Sequence, residues 1–108
     1  MENKSLWEIL VPASDNEGND FAPSHHRRWD KRVEKISGGL TILHATKGRW
    51  RSPSGEQFFD KMIPVRIACT KSEIENISEM TAKHYRQKVV MFYCLSELVC
   101  FRTYDEQS

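Results

Sequence analysis

The sequence predicts one α+β domain, residues 1–108, with elements in the order strand, helix, strand, strand, helix, strand. Three observations carry that expectation. A T-x-x-E box at Thr70–Glu73 opens a helix, an apolar stripe ending at Gly38 marks an earlier one, and β-favouring apolar stretches separated by turn residues flank both. A chain of 108 residues suits one core, and 39% hydrophobic with 29% charged residues is the balance of a folded, water-soluble domain.

The first strand is read from Ser5 to Ala13, where Trp7, Ile9 and Val11 alternate with Leu6, Glu8 and Leu10 and Pro12 ends the run. SDNEGNDFAPS then reads as a loop, longer than most, of the length used for lids and binding loops. Ser24 is the expected N-cap of a first helix, HHRRWDKRVEKI, whose Trp29, Val33 and Ile36 form one buried stripe while its basic residues face outward. Gly38 supplies a left-handed stop, and GLTILHAT follows as a second strand.

Ser52-Pro53-Ser54-Gly55 is a turn with proline at its second position, and FFDKMIPVRIACT returns as a third strand, giving a long hairpin between the second and third strands. Pro64 in the returning strand is expected at an edge or a bulge, because proline has no N–H for a ladder. The second helix is expected from about Lys71 to Arg86, with Ile74, Ile77, Met80 or Thr81, and His84 along its inner face. VVMFYCL reads as a central strand, and Ser96-Glu97 as a tight turn into an extra C-terminal strand, LVCFRTY. This is the ferredoxin-like βαββαβ arrangement, an antiparallel sheet with two helices on one face. Apolar residues on both sides of its strands would leave a large patch on the other face, so a homo-oligomer, a trimer or built from dimers, is expected to stack sheets there.

The longest apolar run, Val89 to Leu95, is far short of the roughly 20 residues of a membrane span. The N-terminal stretch has neither signal-peptide nor transit-peptide character, so a cytoplasmic location without membrane association is expected. Cys69, Cys94 and Cys100 are odd in number and lack CxxC spacing, and they read as reduced, partly buried thiols. The formal charge of +1 conceals an uneven distribution: −4 over residues 1–24, +6 over 25–51 and −1 over 52–108. A cationic middle segment gathered on one face attracts phosphates or carboxylates.

In element order and size, over about residues 5–104, the chain resembles the PII-like and divalent-cation-tolerance proteins, small oligomers of ferredoxin-like fold with an extended hairpin. GGLTILHATKGRW followed by SGEQF is also similar to a pattern found in small α+β proteins of bacteria and phages. The PII-like resemblance implies ligand sites in clefts between subunits near the base of the hairpin, with basic side chains holding phosphates. It supplies no residue roles, since neither family's signature motif is present.

Three groups of residues stand out as chemistry-bearing. His25, His26, Arg27 and Arg28 fall in the first turn of a helix, where unpaired N–H groups and the dipole favour an anion; either that anion is a ligand or Asp15, Glu17 and Asp20 of the preceding loop take its place. Lys47, Arg49 and Arg51 alternate with Trp50, so guanidiniums suited to phosphate lie beside an indole that either stacks on a base or packs inside. His84 and Arg86 close the second helix, and His44 ends a strand. Neither H-x-H nor H-x-x-x-H spacing nor a paired acidic ligand accompanies the histidines, so no metal site is assigned. P-loop, G-x-G-x-x-G and G-x-S-x-G motifs are all missing, and neither a catalytic residue nor a cofactor is assigned.

The sequence therefore reads as an oligomeric binding protein rather than an enzyme. It captures a small anionic, nucleotide-like ligand between subunits through His25, His26, Arg27, Arg28, Lys47, Arg49, Trp50, Arg51, His84 and Arg86. One alternative is a module that binds nucleic acid or a partner protein, on the strength of a sheet with aromatics and a cationic segment. Another is a small histidine-dependent phosphoesterase or lyase.

Overall fold

The computed structural model describes residues 3–105 and, at Trp50 and residues 57–60, the backbone alone. Its elements are β1 (Ser5–Pro12), α1 (Pro23–Ser37), β2 (Thr41–Ile42), β3 (Thr46–Arg51), β4 (Gln57–Cys69), α2 (Lys71–His84) and β5 (Phe92–Ser96). The sheet runs β2-β4-β1-β5, and β3 pairs with the far half of β4; every pairing is antiparallel.

The register of β1 on β4, from Ser5 opposite Cys69 to Pro12 opposite Met62, sorts the side chains by parity. Ile9 and Val11 of β1 and Val65, Ile67 and Cys69 of β4 turn to one face, where Trp29 and Val33 of α1, Ile74, Ile77 and Met80 of α2, and Tyr85 complete the core. Leu6, Glu8 and Leu10, with Pro64, Arg66 and Ala68 opposite them, turn to the face that carries no helix.

α2 begins as expected. Thr70 accepts from the Glu73 N–H through its hydroxyl, and the Glu73 carboxylate accepts from the Thr70 N–H, so two donors of the first turn are satisfied reciprocally. Thr70→Ala should lower the unfolding free energy by about 1 kcal/mol, measured by urea denaturation. The helix ends at His84 rather than Arg86, which has a left-handed φ of 54°. α1 also departs at its start: Pro23 takes the first helical position, so the extended residue before it is Ala22, and Ser24 does not cap. Its end is the one expected, with Gly38 at φ 90° and its N–H bonded to the Glu34 carbonyl at 2.7 Å.

The second strand is broken in two. Ile42 opposes Val65 and Thr46 opposes Met62, so three residues of one strand face two of the other. Pro64 lies at that bulge, although on a central strand and not at an edge. Its carbonyl accepts from the Leu43 N–H at 2.9 Å, so its N–H-less nitrogen also points to the broken side of the ladder. At the hairpin tip the Gly55 N–H bonds to the Ser52 carbonyl at 2.9 Å, and Gly55, at φ 90°, takes the left-handed position that closes a three-residue loop.

Two expectations about the C-terminal part are corrected. The apolar run VVMFYCL becomes strand only from Phe92, and β5 lies at the edge of the sheet, bonded to β1 alone. Residues 98–104, expected as an extra C-terminal strand, form none, and Leu98, Phe101 and Tyr104 are 68%, 76% and 73% exposed. The apolar pattern is real, but the chain offers it no neighbouring strand. Cys94 on the edge strand β5 and Cys100 beyond it, both expected to be partly buried, are exposed; Cys69 is buried, and burial followed by the nearby Glu73 carboxylate pushes its thiol up to about 12.

Candidate functional site

The residues expected to share one site separate into two groups. The first is a histidine cluster where the start of α1 meets the end of α2. His25 Nε2–H donates to the His84 carbonyl at 2.9 Å, His84 Nε2–H donates to the His25 carbonyl at 2.8 Å, and the two rings lie 4.0 Å apart between centroids. Arg28 donates to His25 Nδ1 at 3.3 Å, and His26 Nδ1 pairs with the Tyr85 hydroxyl at 2.7 Å. Phe21 stacks on His25, with centroids 5.1 Å apart. Asp15, Glu17, His25, His84 and Arg86 border an open cavity of about 430 Å³ beside this cluster.

Most ring nitrogens here are occupied by partners in the chain, so the cluster acts first as a clasp between the helices. Arg27 and Arg28 are exposed and lie in the second turn of α1, beyond a first turn in which Pro23 has no N–H and the His25 N–H bonds to the Ala22 carbonyl at 2.9 Å. Asp15 accepts from the Glu17 and Asn19 N–H groups, and Asp20 accepts from Ser14. Among the described residues no ion pair joins this acidic loop to the helix.

Burial, followed by the positive potential of His25, holds His26 below the ordinary imidazole value of 6.5. Burial is also the main cause lowering His84, partly offset by its bond to His25. A group depressed in the fold stabilises it fully above the unfolded value and loses that contribution as pH falls through the folded value. Acidification from about pH 7.5 to about pH 5.5 should therefore lower the thermal midpoint, and His84→Gln should flatten that decline.

The second group lies on the hairpin. Lys47, Arg49 and Arg51 alternate along β3 and are exposed, and Lys47 stands directly opposite Lys61 of β4. Like charges in register repel, so this arrangement favours a nearby anion. The side chain of Trp50 lies outside the described residues; its backbone pairs with Phe58. β3 pairs with the far half of β4, whereas the histidines meet at the α1–α2 contact.

A third constellation was not foreseen. On the helix-free face Glu8 stands opposite Arg66 of β4 and Tyr93 of β5, forming a row across three strands. Arg66 Nε donates to Glu8 Oε1 at 3.0 Å, the Tyr93 hydroxyl donates to Glu8 Oε2, and Glu8 is 7% exposed. Burial, then the hydrogen bond and charge of Glu8, push the Tyr93 phenol up to about 12, so it remains a donor at neutral pH. Arg66 borders two depressions. One, of about 420 Å³, is walled by Lys4, Leu6, Ala68, Val99 and Phe101; the other, of about 620 Å³, by Glu8, Ile42, His44, Thr46 and Pro64. The sequence signal was Glu8, a charge in the middle of an otherwise apolar strand. Its partners lie 58 and 85 residues away, beyond any local pattern.

Among the described residues no group of histidine, cysteine, aspartate and glutamate side chains has the arrangement of a metal site, and no helix is long and apolar enough to cross a membrane.

No protein-family model matches the sequence, and no curated protein sequence is similar to it. Solved structures are similar in fold. A phage SAM lyase in complex with S-methyl-5'-thioadenosine superposes with a TM-score of 0.65 at 10% identity, covering 100% of this chain and 92% of the lyase. The CutA1 protein of the psychrotrophic bacterium Shewanella sp. SIB1 gives 0.63 at 13% identity, over 93% of this chain and 86% of that one. The divalent cation tolerance protein Cut A1 of Thermus thermophilus gives 0.60 at 16% identity, over 85% and 82%. With its antiparallel sheet, two helices and long hairpin, the chain has the PII-like, ferredoxin-like fold of the divalent cation tolerance proteins, shared by a phage SAM lyase.

Proposed function

We propose that the chain is an oligomeric binding protein that holds a small, anionic, nucleoside-like ligand in a cleft between copies on the helix-free face of its sheet. The observation that carries this reading is that face itself. It bears a buried carboxylate, a guanidinium and a phenol between two depressions, and it ends in an edge strand, bonded to β1 alone among the described strands, and an exposed apolar tail. Strand edges and apolar patches of this kind invite a second copy. The cations of the hairpin, Lys47, Arg49, Arg51 and Lys61, would then reach a neighbour's cleft and neutralise the ligand's charge. The phage SAM lyase, which carries a purine nucleoside on the same fold, supports the nucleoside-like part of the ligand.

That likeness also favours a second reading, in which the bound compound is cleaved. A lyase acting on SAM would break a carbon–sulfur bond at the sulfonium, with sulfur keeping the bonding pair and leaving as the thioether S-methyl-5'-thioadenosine. The released carbon either takes its own carboxylate as nucleophile or becomes an alkene as a neighbouring carbon loses a proton. Chromatography of SAM incubated with the protein separates the two readings, since a pure binder returns it intact.

Native mass spectrometry of freshly purified protein tests the primary reading. An oligomer retaining a mass in the nucleoside or nucleotide range is the expected spectrum. A bare monomer would remove the cleft and place the nucleic-acid or partner-protein alternatives first.

A further inference from the structure

We propose that Arg66 is the residue that anchors the ligand's anionic group, and that Glu8 and Tyr93 serve to aim it; this rests on the small-ligand reading above. The argument begins with the row across the sheet. Register alone sets Glu8 beside Arg66 on one side and Tyr93 on the other, all on the helix-free face. Both carboxylate oxygens of Glu8 are occupied, one by Tyr93 O–H and one by Arg66 Nε–H. A carboxylate buried to that degree and saturated by two donors is a rigid bracket rather than a receptor.

The bracket uses one edge of the guanidinium. Among the described residues the terminal nitrogens of Arg66 have no protein partner, and the side chain is 46% exposed. A guanidinium held at Nε presents its remaining N–H groups as a planar fork, a geometry that matches the two oxygens of a carboxylate or phosphate. Burying a carboxylate costs desolvation that its ion pair barely repays, so a buried glutamate and a tyrosine trained on one arginine are better explained by orientation than by holding the sheet together.

Charge then selects the cavity. The wider depression is bordered by the Glu8 carboxylate, which repels an anion. The other is bordered by Arg66 and Lys4, with Leu6, Ala68, Val99 and Phe101 as apolar walls. Its volume of about 420 Å³ is within the range of small-molecule sites. Two cations beside an apolar wall fit a compound with one carboxylate or phosphate joined to a planar or apolar body. Arg66 and Lys4 contact that anion directly, while Glu8 and Tyr93 are positioning residues.

Calorimetric titration of the whole protein with two matched pairs tests the anchor and identifies the source of the anion. AMP against adenosine isolates a phosphate, and S-adenosylhomocysteine against S-methyl-5'-thioadenosine, both neutral at sulfur, isolates the amino-acid portion with its carboxylate. In at least one pair the member bearing the phosphate or carboxylate should bind about tenfold or more tightly, as charged hydrogen bonds do. Arg66→Gln should abolish that preference without changing the oligomeric state, and Arg66→Lys should not restore it, because an ammonium has no fork. Tyr93→Phe should weaken only the member bearing the phosphate or carboxylate, an effect a purely structural tyrosine would not produce. A preference that survives in Arg66→Gln overturns the anchor while leaving the small-ligand reading in place. Binding without any anion preference in the wild type does the same, and failure of all four compounds to bind overturns both.

Discussion

Trp29→Ala is expected to destabilise the fold by about 3–5 kcal/mol, a large share of the roughly 5–15 kcal/mol that holds a domain of this size together. Trp29 is 1% exposed, opens the apolar stripe of α1, and is among the largest side chains fully enclosed by the core. Its indole N–H donates to the Thr81 hydroxyl at 2.9 Å, and that hydroxyl donates in turn to the Ile77 carbonyl at 2.6 Å. Truncation therefore opens a cavity and strips a polar pair between the two helices at once. Thr81→Val, which keeps the volume but leaves the indole N–H buried and unpaired, should cost about 1–3 kcal/mol. Urea denaturation followed by circular dichroism gives both numbers, and similar costs for the two variants would mean that the hydrogen bond rather than the volume dominates.

The second large effect is expected at Tyr85. Its ring is buried where α2 ends and touches Phe21, His25, His26, Trp29 and His84, so the helix clasp is assembled around it. Tyr85→Ala should cost about 3–5 kcal/mol through lost packing. Tyr85→Phe removes only the hydroxyl that meets His26 and should cost about 0.5–1.5 kcal/mol. The phenylalanine variant also separates structure from ionisation. Because burial and then the charge of His25 hold His26 below 6.5, its titration should stay lowered in Tyr85→Phe, which proton NMR of the imidazole detects. A His26 titration that returns to its ordinary value would show that the hydroxyl sets it instead.

What could be read from the sequence was local. The Thr70–Glu73 box, the Gly38 stop and the turn ending at Gly55 each depend on residues within a few positions, and each stands where its pattern puts it. Ser24 does not cap α1 because Pro23, favoured at the first helical position, shifts the start of the helix by two residues. The apolar run Val89 to Leu95 reads as a central strand because hydrophobicity reports burial without saying which neighbour provides it. The same limit governed the site. Repeated histidines are conspicuous in a sequence, yet here they bind one another's backbone across the α1–α2 contact. Glu8, Arg66 and Tyr93 come together only through the pairings of β1 with β4 and β5, which no short window contains.

Those pairings also bear on how the chain is made. β1 is strongly apolar and lies between β4 and β5, both synthesised long after it, with Ser5 joined to Cys69 and Glu8 to Tyr93. A nascent polypeptide at the ribosome would therefore present Leu6 to Val11 without a partner until β4 had emerged, and with one side open until β5 followed. Long-range strand pairing of this kind slows folding and leaves sticky intermediates, while the two helices can form early from nearby contacts. Yield in a host should depend on chaperone capacity and on slow expression at low temperature more than on the final stability of the native state.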